Sequence, residues 1–175
     1  MVAKKFKLDL SVASIDRLIA ELDEHKRWVT EKTEQFRQRV AEEIQGEAAI
    51  NFAGAIMEDR IDGGWRNPDV TVTMGGEGNI SLVIAKGTDA VFVEFGAGVY
   101  HNGPAGSSPH PMGTELGMTI GSYGKGFGVR KAWGYYDNGE LVLTRGTPAS
   151  MPIYNAAKTV SDRIASIARE VFGAD

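Results

Sequence analysis

The chain reads as an α+β domain: a long N-terminal helical region and a C-terminal helix packed on a small antiparallel sheet, with a Gly-rich loop and a hairpin inserted before the last helix. Three observations predict this. Apolar residues recur at helical spacing from Ile15 to Ile56 and again from Ile153 to Val171. Between Val70 and Phe95 the pattern changes to short β-branched runs separated by glycines. The 22 glycines of the 175 residues crowd between Gly75 and Gly146, which puts the irregular part of the chain in one block. That length supports a single domain with a real core, and no repeat or linker divides it, so the domain is expected to span residues 1–175.

Taken in order, Phe6, Leu8 and Leu10 alternate with Lys7 and Asp9, the period of a short half-buried strand. Ser11 to Ser14 offers N-cap oxygens, and the period then becomes helical. Ile15, Leu18, Ile19 and Leu22 share a face, which Val29, Phe36, Val40, Ile44, Ala48, Phe52 and Ile56 extend. A helix is expected from about Ser14 to about Asp59, with His25 to Thr30 as the place for an interruption. Unbroken, it would run about 65 Å at roughly 1.5 Å per residue, so it either bends in two or packs partly on another subunit. Gly46 and Gly54 are its weak points, each costing about 1 kcal/mol relative to alanine.

Asp62-Gly63-Gly64 signals a stop and a turn. Val70 to Met74, Ile80 to Lys86 and Ala90 to Phe95 then read as three strands of an antiparallel meander, joined at Gly75 to Asn79 and at Gly87 to Asp89. Gly96 to Gly128 is too glycine-rich for regular structure, apart from a brief ordered piece at Leu116 to Ile120. Ala132 to Tyr136 and Glu140 to Thr144 flank Asp137-Asn138-Gly139, a hairpin with the preferred type I′ turn pair. Pro152 suits the first turn of a closing helix whose apolar face is Ile153, Ala157, Val160, Ile164, Ile167, Ala168 and Val171, and Gly173 stops it.

Composition excludes several functions. A net charge of −4 supplies no global basic field for nucleic acid or acidic lipid. The absence of cysteine excludes disulfides, thiol nucleophiles and Cys-ligated zinc. No apolar run is long enough to span a membrane, and MVAKKFKLDLS lacks the apolar core of a secretory signal.

The remaining motifs are weak as chemistry. In Gly121-Ser-Tyr-Gly-Lys-Gly-Phe-Gly128, Lys125 is followed by Gly126 rather than Ser or Thr, no strand leads in, and a hairpin follows, so it is no phosphate loop. His101 and His110, nine residues apart on a loop, match no compact metal-ligand spacing even with Glu94. His25, mid-helix among charges, reads as a solvated side chain. A hydrolase using Glu94 with these loop histidines is one alternative, although Ala105-Gly106-Ser107-Ser108-Pro109 is no nucleophile elbow. The simpler expectation for Glu94 is that it accepts hydrogen bonds from the amides of the Gly96-Ala97-Gly98 turn. Lys125, Arg130 and Lys131, interleaved with Tyr123, Phe127 and Trp133, would suit a nucleic-acid-binding module. They suit equally a solubilised loop beside a hairpin, which the acidic chain favours, or phosphate contacts to passing DNA.

Two landmarks carry a family resemblance: Val93-Glu94-Phe95-Gly96, and Met151-Pro152-Ile153-Tyr154-Asn155-Ala156 after a variable insertion. With GVYHNG, GSYGKG, WGYYD and RGTPASMP between or beside them, the second half resembles the head–tail joining (neck, or tail-completion) minor structural proteins of long-tailed double-stranded-DNA phages and prophages. The first half is similar only in helical character. Ile153 and Asn155-Ala156 depart from the aromatic residue and second Pro-Ala pair of many relatives.

The resemblance implies a non-enzymatic component, without cofactor, that assembles as a ring at the head–tail junction or tail terminus. Implied partners are further copies of the chain, head-closure or connector proteins, tail-tube or tail-terminator proteins, and DNA in passage, with no membrane. The implied location is the virion, and the host cytoplasm during assembly. On this reading Glu94, Phe95, Gly96, Gly98 and Tyr100 form the hinge of an assembly arm spanning about residues 96–147, and Lys125, Arg130 and Lys131 are the candidates to face DNA.

Overall fold

The structure, a computed structural model, describes residues 11–122 and 128–173. The expected strand at Phe6 to Leu10, and Tyr123, Lys125 and Phe127, lie outside the described residues. The architecture is α+β: two helices at the ends of the chain and small antiparallel sheets of two strands each.

Helix α1 runs unbroken over Val12–Gly54, 43 residues. Ser11 caps it in an extended conformation, its Oγ accepting from the Ser14 N–H at 3.2 Å. The interruption considered near His25 to Thr30 does not occur. No Pro or Gly lies there, and the Thr30 and Thr33 hydroxyls donate back to the Lys26 and Val29 carbonyls within the helix. The helix does end earlier than Asp59. After Gly54 the chain turns extended at Ala55, and β1 (Met57–Arg60) pairs antiparallel with β2 (Gly64–Arg66). Stopping at a glycine, a poor helix former, frees Met57 to enter the core and turns Asp62-Gly63 into a hairpin loop.

Strands β3 (Thr71–Glu77) and β4 (Ile80–Lys86) form a second hairpin, in register from Thr71↔Lys86 to Glu77↔Ile80. The expected third strand of a meander is a correction: Ala90–Phe95 is a short helix, α2. Its buried residues are Ala90, Val93 and Glu94, the i, i+3, i+4 set of one helical face, while Val91 is exposed. The β-branched run at Val91–Val93 favours a strand locally, but an extended chain would send Val93 and Glu94 to opposite sides. Helical geometry buries both.

A four-residue helix, α3 (Val99–Asn102), follows two residues' turn beyond Gly96. Hairpin β5 (Trp133–Asp137) and β6 (Glu140–Thr144) is where the sequence predicts it, with Asn138 and Gly139 both at positive φ as a type I′ turn requires. Its inner face docks on β1: the Ile61 N–H donates to the Leu143 carbonyl at 2.8 Å, and the Thr144 hydroxyl to the Glu58 carbonyl at 3.2 Å.

The closing helix, α4 (Pro152–Gly173), lies along α1. Asn51 donates to the Pro152 carbonyl at one end, Arg163 pairs with Glu43 midway, and Phe172 meets Phe36 and Trp28 at the other end. The core gathers where these elements converge. Phe52, Ala55, Met57 and Val93 are buried together, with Val70, Val72, Ala85, Phe92 and Ile153 packed around them.

Candidate functional site

The first turn of α4 defines the site. A helix start leaves four backbone N–H groups without partners in the helix. Here Pro152, the first residue, has none to offer. Ile153 donates to Glu94 Oε2 at 2.8 Å and Tyr154 to Glu94 Oε1 at 2.9 Å. Asn155 donates to the Met151 carbonyl at 2.9 Å. Met151 has no side-chain acceptor to serve as a cap and sits at φ 52°. Its place is taken by a carboxylate from α2, which also meets the positive end of the α4 dipole. The carbonyl of Val93, next to Glu94, accepts from Ser150 at 2.9 Å, so α2 grips the approach to α4 through backbone and side chain together.

His110 completes the group. Its Nε2 lies 3.1 Å from Glu94 Oε1, and its Nδ1 accepts the Met112 N–H at 3.1 Å. The lone pair is therefore on Nδ1 and the proton shared with Glu94 on Nε2. The ring packs 4.5 Å from Phe95 and 5.1 Å from Tyr154, centroid to centroid. Glu94 and His110 are 8% and 5% exposed. They form the polar edge of an otherwise apolar recess of about 380 Å³ whose lining includes Phe52, Val91, Met112, Leu116 and Ala157.

The expectation that Glu94 accepts from the Gly96-Ala97-Gly98 amides is thus corrected. The Gly96 N–H goes to the Phe92 carbonyl and the Ala97 N–H to the Thr147 carbonyl, each at 2.8 Å. A carboxylate at the helix end points back toward α4, away from the turn that follows it.

That turn is a stitched joint. Ala97 and Thr147 exchange both backbone hydrogen bonds, so the excursion between them leaves and returns at one point. Asn102 fills the gap. Its amide donates to the carbonyls of Ala97 (3.1 Å), Gly98 (3.1 Å) and Thr147 (2.7 Å), and its Oδ1 accepts from Ala149 at 2.9 Å. Gly96 and Gly98, at φ 79° and 78°, have no room for a side chain. A Cβ on Gly96 would overlap Asn102 Oδ1, and one on Gly98 would stand 2.5 Å from the Arg145 carbonyl.

Tyr100, half-exposed, packs against the Arg145 guanidinium at 5.0 Å and edge-on to His101 at 4.8 Å. Arg145 ties this corner to β1: its N–H donates to Glu58 Oε2 at 2.6 Å, and its guanidinium lies 3.6 Å from Glu58 Oε1. His101 therefore belongs to the Tyr100–Trp65 corner, not to Glu94. Arg130 and Lys131 are exposed on the segment entering β5. Among the described residues, no group of three or more His, Cys, Asp or Glu side chains is placed to hold a metal ion.

The geometry bears on the hydrolase alternative. It does give Glu94 a partner within hydrogen-bond reach, one of the two loop histidines. Yet both ring nitrogens of His110 are engaged, and Ser108 Oγ accepts from the His110 backbone rather than addressing the ring. To take a proton, the ring would have to give up the Met112 bond. As it stands, the arrangement holds the excursion to α2 and α4.

Besides Glu94, two buried carboxylates escaped the sequence reading: Glu58, which meets Arg145, and Asp89. Asp89, just before α2, accepts from both terminal guanidinium nitrogens of Arg66, at 2.6 and 3.0 Å, and from the Asp69 N–H at 2.8 Å. The Arg66 hydrogen bond holds the Asp89 carboxyl below its usual range, against the opposing effect of burial. The Arg66 guanidinium is shifted up by the same hydrogen bond. Nothing in the local sequence pairs residues 23 apart, and the Asp89 side chain makes no cap hydrogen bond to α2 that its position before the helix would have announced.

No protein family's pattern, no curated protein and no solved structure matches the chain.

Proposed function

We propose that the chain is a non-enzymatic phage structural protein that assembles as a ring at the head–tail junction or tail terminus, completing the neck for DNA passage. The observation that carries the proposal is the meeting of the two landmarks on which the resemblance rests. Glu94 of Val93-Glu94-Phe95-Gly96 caps the helix opened by Pro152-Ile153-Tyr154, 59 and 60 residues further on. Landmarks of that kind, far apart in sequence and joined by buried hydrogen bonds, keep a scaffold's geometry while the insertion between them varies. The engaged state of His110 supports a structural role over a hydrolytic one. Partners on this reading are other copies of the chain, head-closure or connector and tail-tube or tail-terminator proteins, and DNA touched in passing. Its place is the virion, with assembly in the host cytoplasm.

Deleting the gene from the phage or prophage that encodes it is expected to leave filled heads and finished tails unjoined, with joining restored by the purified chain. Electron microscopy of the particles reads the result. Joined virions at normal yield without the chain, or a hydrolytic activity abolished by Glu94→Gln, would overturn the proposal.

A further inference from the structure

Helix α1 runs past the end of α4. Phe172, in the last turn of α4, reaches Trp28, and residues 12–27 continue beyond that contact for about 24 Å at roughly 1.5 Å per residue. This stretch, though rich in charge, keeps an apolar stripe that continues to Val29. Val12, Ile15, Ile19, Leu22 and Val29 are 75, 41, 53, 46 and 40% exposed. Together with Lys26 they fall at alternating steps of three and four, the seam spacing of a coiled coil. They lie roughly a quarter turn, at about 100° per residue, from the half-buried face of Leu18, Glu21, His25 and Trp28. The stripe is thus a second face of the helix.

We infer that this stripe is a two-fold contact with a second copy of the chain, the two α1 helices running antiparallel. The sequence of the stripe is the reason. Reversed about the point between Ala20 and Glu21, it maps onto itself: Val12 meets Val29, Ile15 meets Lys26, and Ile19 meets Leu22 of the second copy. The alternating spacing meets what a two-fold contact requires, residue i on j and j on i, and the charges beside the seam then select the direction. Charge agrees with the register. Lys26 lays its stem on Ile15 of the second copy and sets its ammonium between Asp16 of that copy and Asp23 of its own helix, the two acids that this register brings side by side. The parallel arrangement would instead set Lys26 against Lys26 in the seam, two like charges in an apolar layer. The single lysine therefore selects the antiparallel pair and keeps it reversible. This contact does not rest on the neck reading, because a two-fold contact closes at two copies while a ring needs a heterologous one.

The test is sedimentation of the full chain over about 1–200 μM, a range suited to a short seam with few anchors. A reversible monomer–dimer equilibrium is expected. Ile19→Asp with Leu22→Asp should weaken it by at least about thirtyfold, since it removes the central layers, yet leave circular dichroism unchanged, and the unfolding midpoint unchanged at concentrations where both chains are monomeric. Lys26→Leu should tighten it by about tenfold or more. Because the chain has no cysteine, Val12→Cys and Val29→Cys each add a single thiol. A mixture of the two variants should form the mixed disulfide. Neither should form one alone, its two thiols being about 26 Å apart across the pair. Monomer at every concentration, association untouched by the two aspartates, or a Val12→Cys homodisulfide overturns the inference. Rings of a size indifferent to those aspartates would overturn it too, while leaving the neck reading standing.

Discussion

Asp89 and Glu94 stand at the two ends of one short helix, and both are buried acids, yet the chain satisfies them by opposite means. Asp89 is held by a permanent cation, the half-exposed Arg66 guanidinium, with one backbone amide in support. Glu94 has no cation. It is held by two amides at a helix start and an imidazole N–H. The difference follows from where each carboxylate sits. Asp89 lies within reach of a partly exposed arginine, whose planar fork matches the carboxylate with two hydrogen bonds. Glu94 lies between α2 and α4, where a second full charge would have to be stripped of water altogether. Helix amides bring fixed partial charge with no such penalty. One acid ties the start of α2 to Arg66 and to the Asp69 amide; the other sets the angle at which the last helix departs.

The largest expected effect is at Glu94. Glu94→Ala removes the acceptor of three donors at once, leaving the Ile153 and Tyr154 amides without partners beside an apolar recess. Each unsatisfied buried group costs about 1–3 kcal/mol, and water entering the space left behind offsets part of this. A loss of about 3 kcal/mol in urea unfolding is expected, with the loosening seen first as faster hydrogen exchange in the first turn of α4. Exchange that rises uniformly instead would show that Glu94 supports the core generally and does not set the helix start.

Asp89 should respond less, and in a pH-dependent way. Its carboxyl is lowered in the folded state relative to 3.8, so the stability it contributes is fully present above that value and is lost as pH falls through the folded one. Asp89→Asn keeps the shape but gives up the ion pair with a partly exposed arginine, a loss of about 2 kcal/mol at neutral pH once solvent screening is allowed for. The gap between variant and native chain should close as the pH drops below about 4. A constant gap down to pH 2 would mean that the charge contributes nothing and that the contacts of Asp89 are simply steric.

The parts of this arrangement differ in how far the sequence betrays them. Helices α1 and α4 and the hairpins β3–β4 and β5–β6 announce themselves through periodicity and turn residues, which are local signals. Helix α2 does not. At six residues it is too short for its period to outweigh the β-branched Val91 and Val93, and only packing against α4 and Phe52 makes the helix the better solution. The β1–β2 hairpin hides inside the continued apolar pattern of α1, since Ile56 falls on the helical stripe by chance of spacing. The site is less legible still. Glu94 and His110 can each be singled out, but the bond between them spans 16 residues, and the amides Glu94 caps are 59 and 60 residues away. Asn102, which closes the joint across 45 and 47 residues, looks in sequence like any loop asparagine beside glycine.

The smallest effect is expected at His110, and it sharpens the contrast most. If Glu94 is held chiefly by the α4 amides, the imidazole is the replaceable member of its shell. His110→Phe keeps a ring between Phe95 and Tyr154 and removes one donor to Glu94 and one acceptor for Met112. The carboxylate retains two amide bonds, and the Met112 amide, next to an exposed side chain, can turn to water. The loss should be about 1 kcal/mol, a third of that for Glu94→Ala, with exchange in the first turn of α4 unchanged and exchange in residues 110–118 raised. The two substitutions then divide the site by function: Glu94 orients the helix, and His110 fastens the excursion to it. A loss at His110 equal to that at Glu94 would mean that the three groups act as a single unit, and that a neutral donor in this recess matters as much as the arginine does for Asp89.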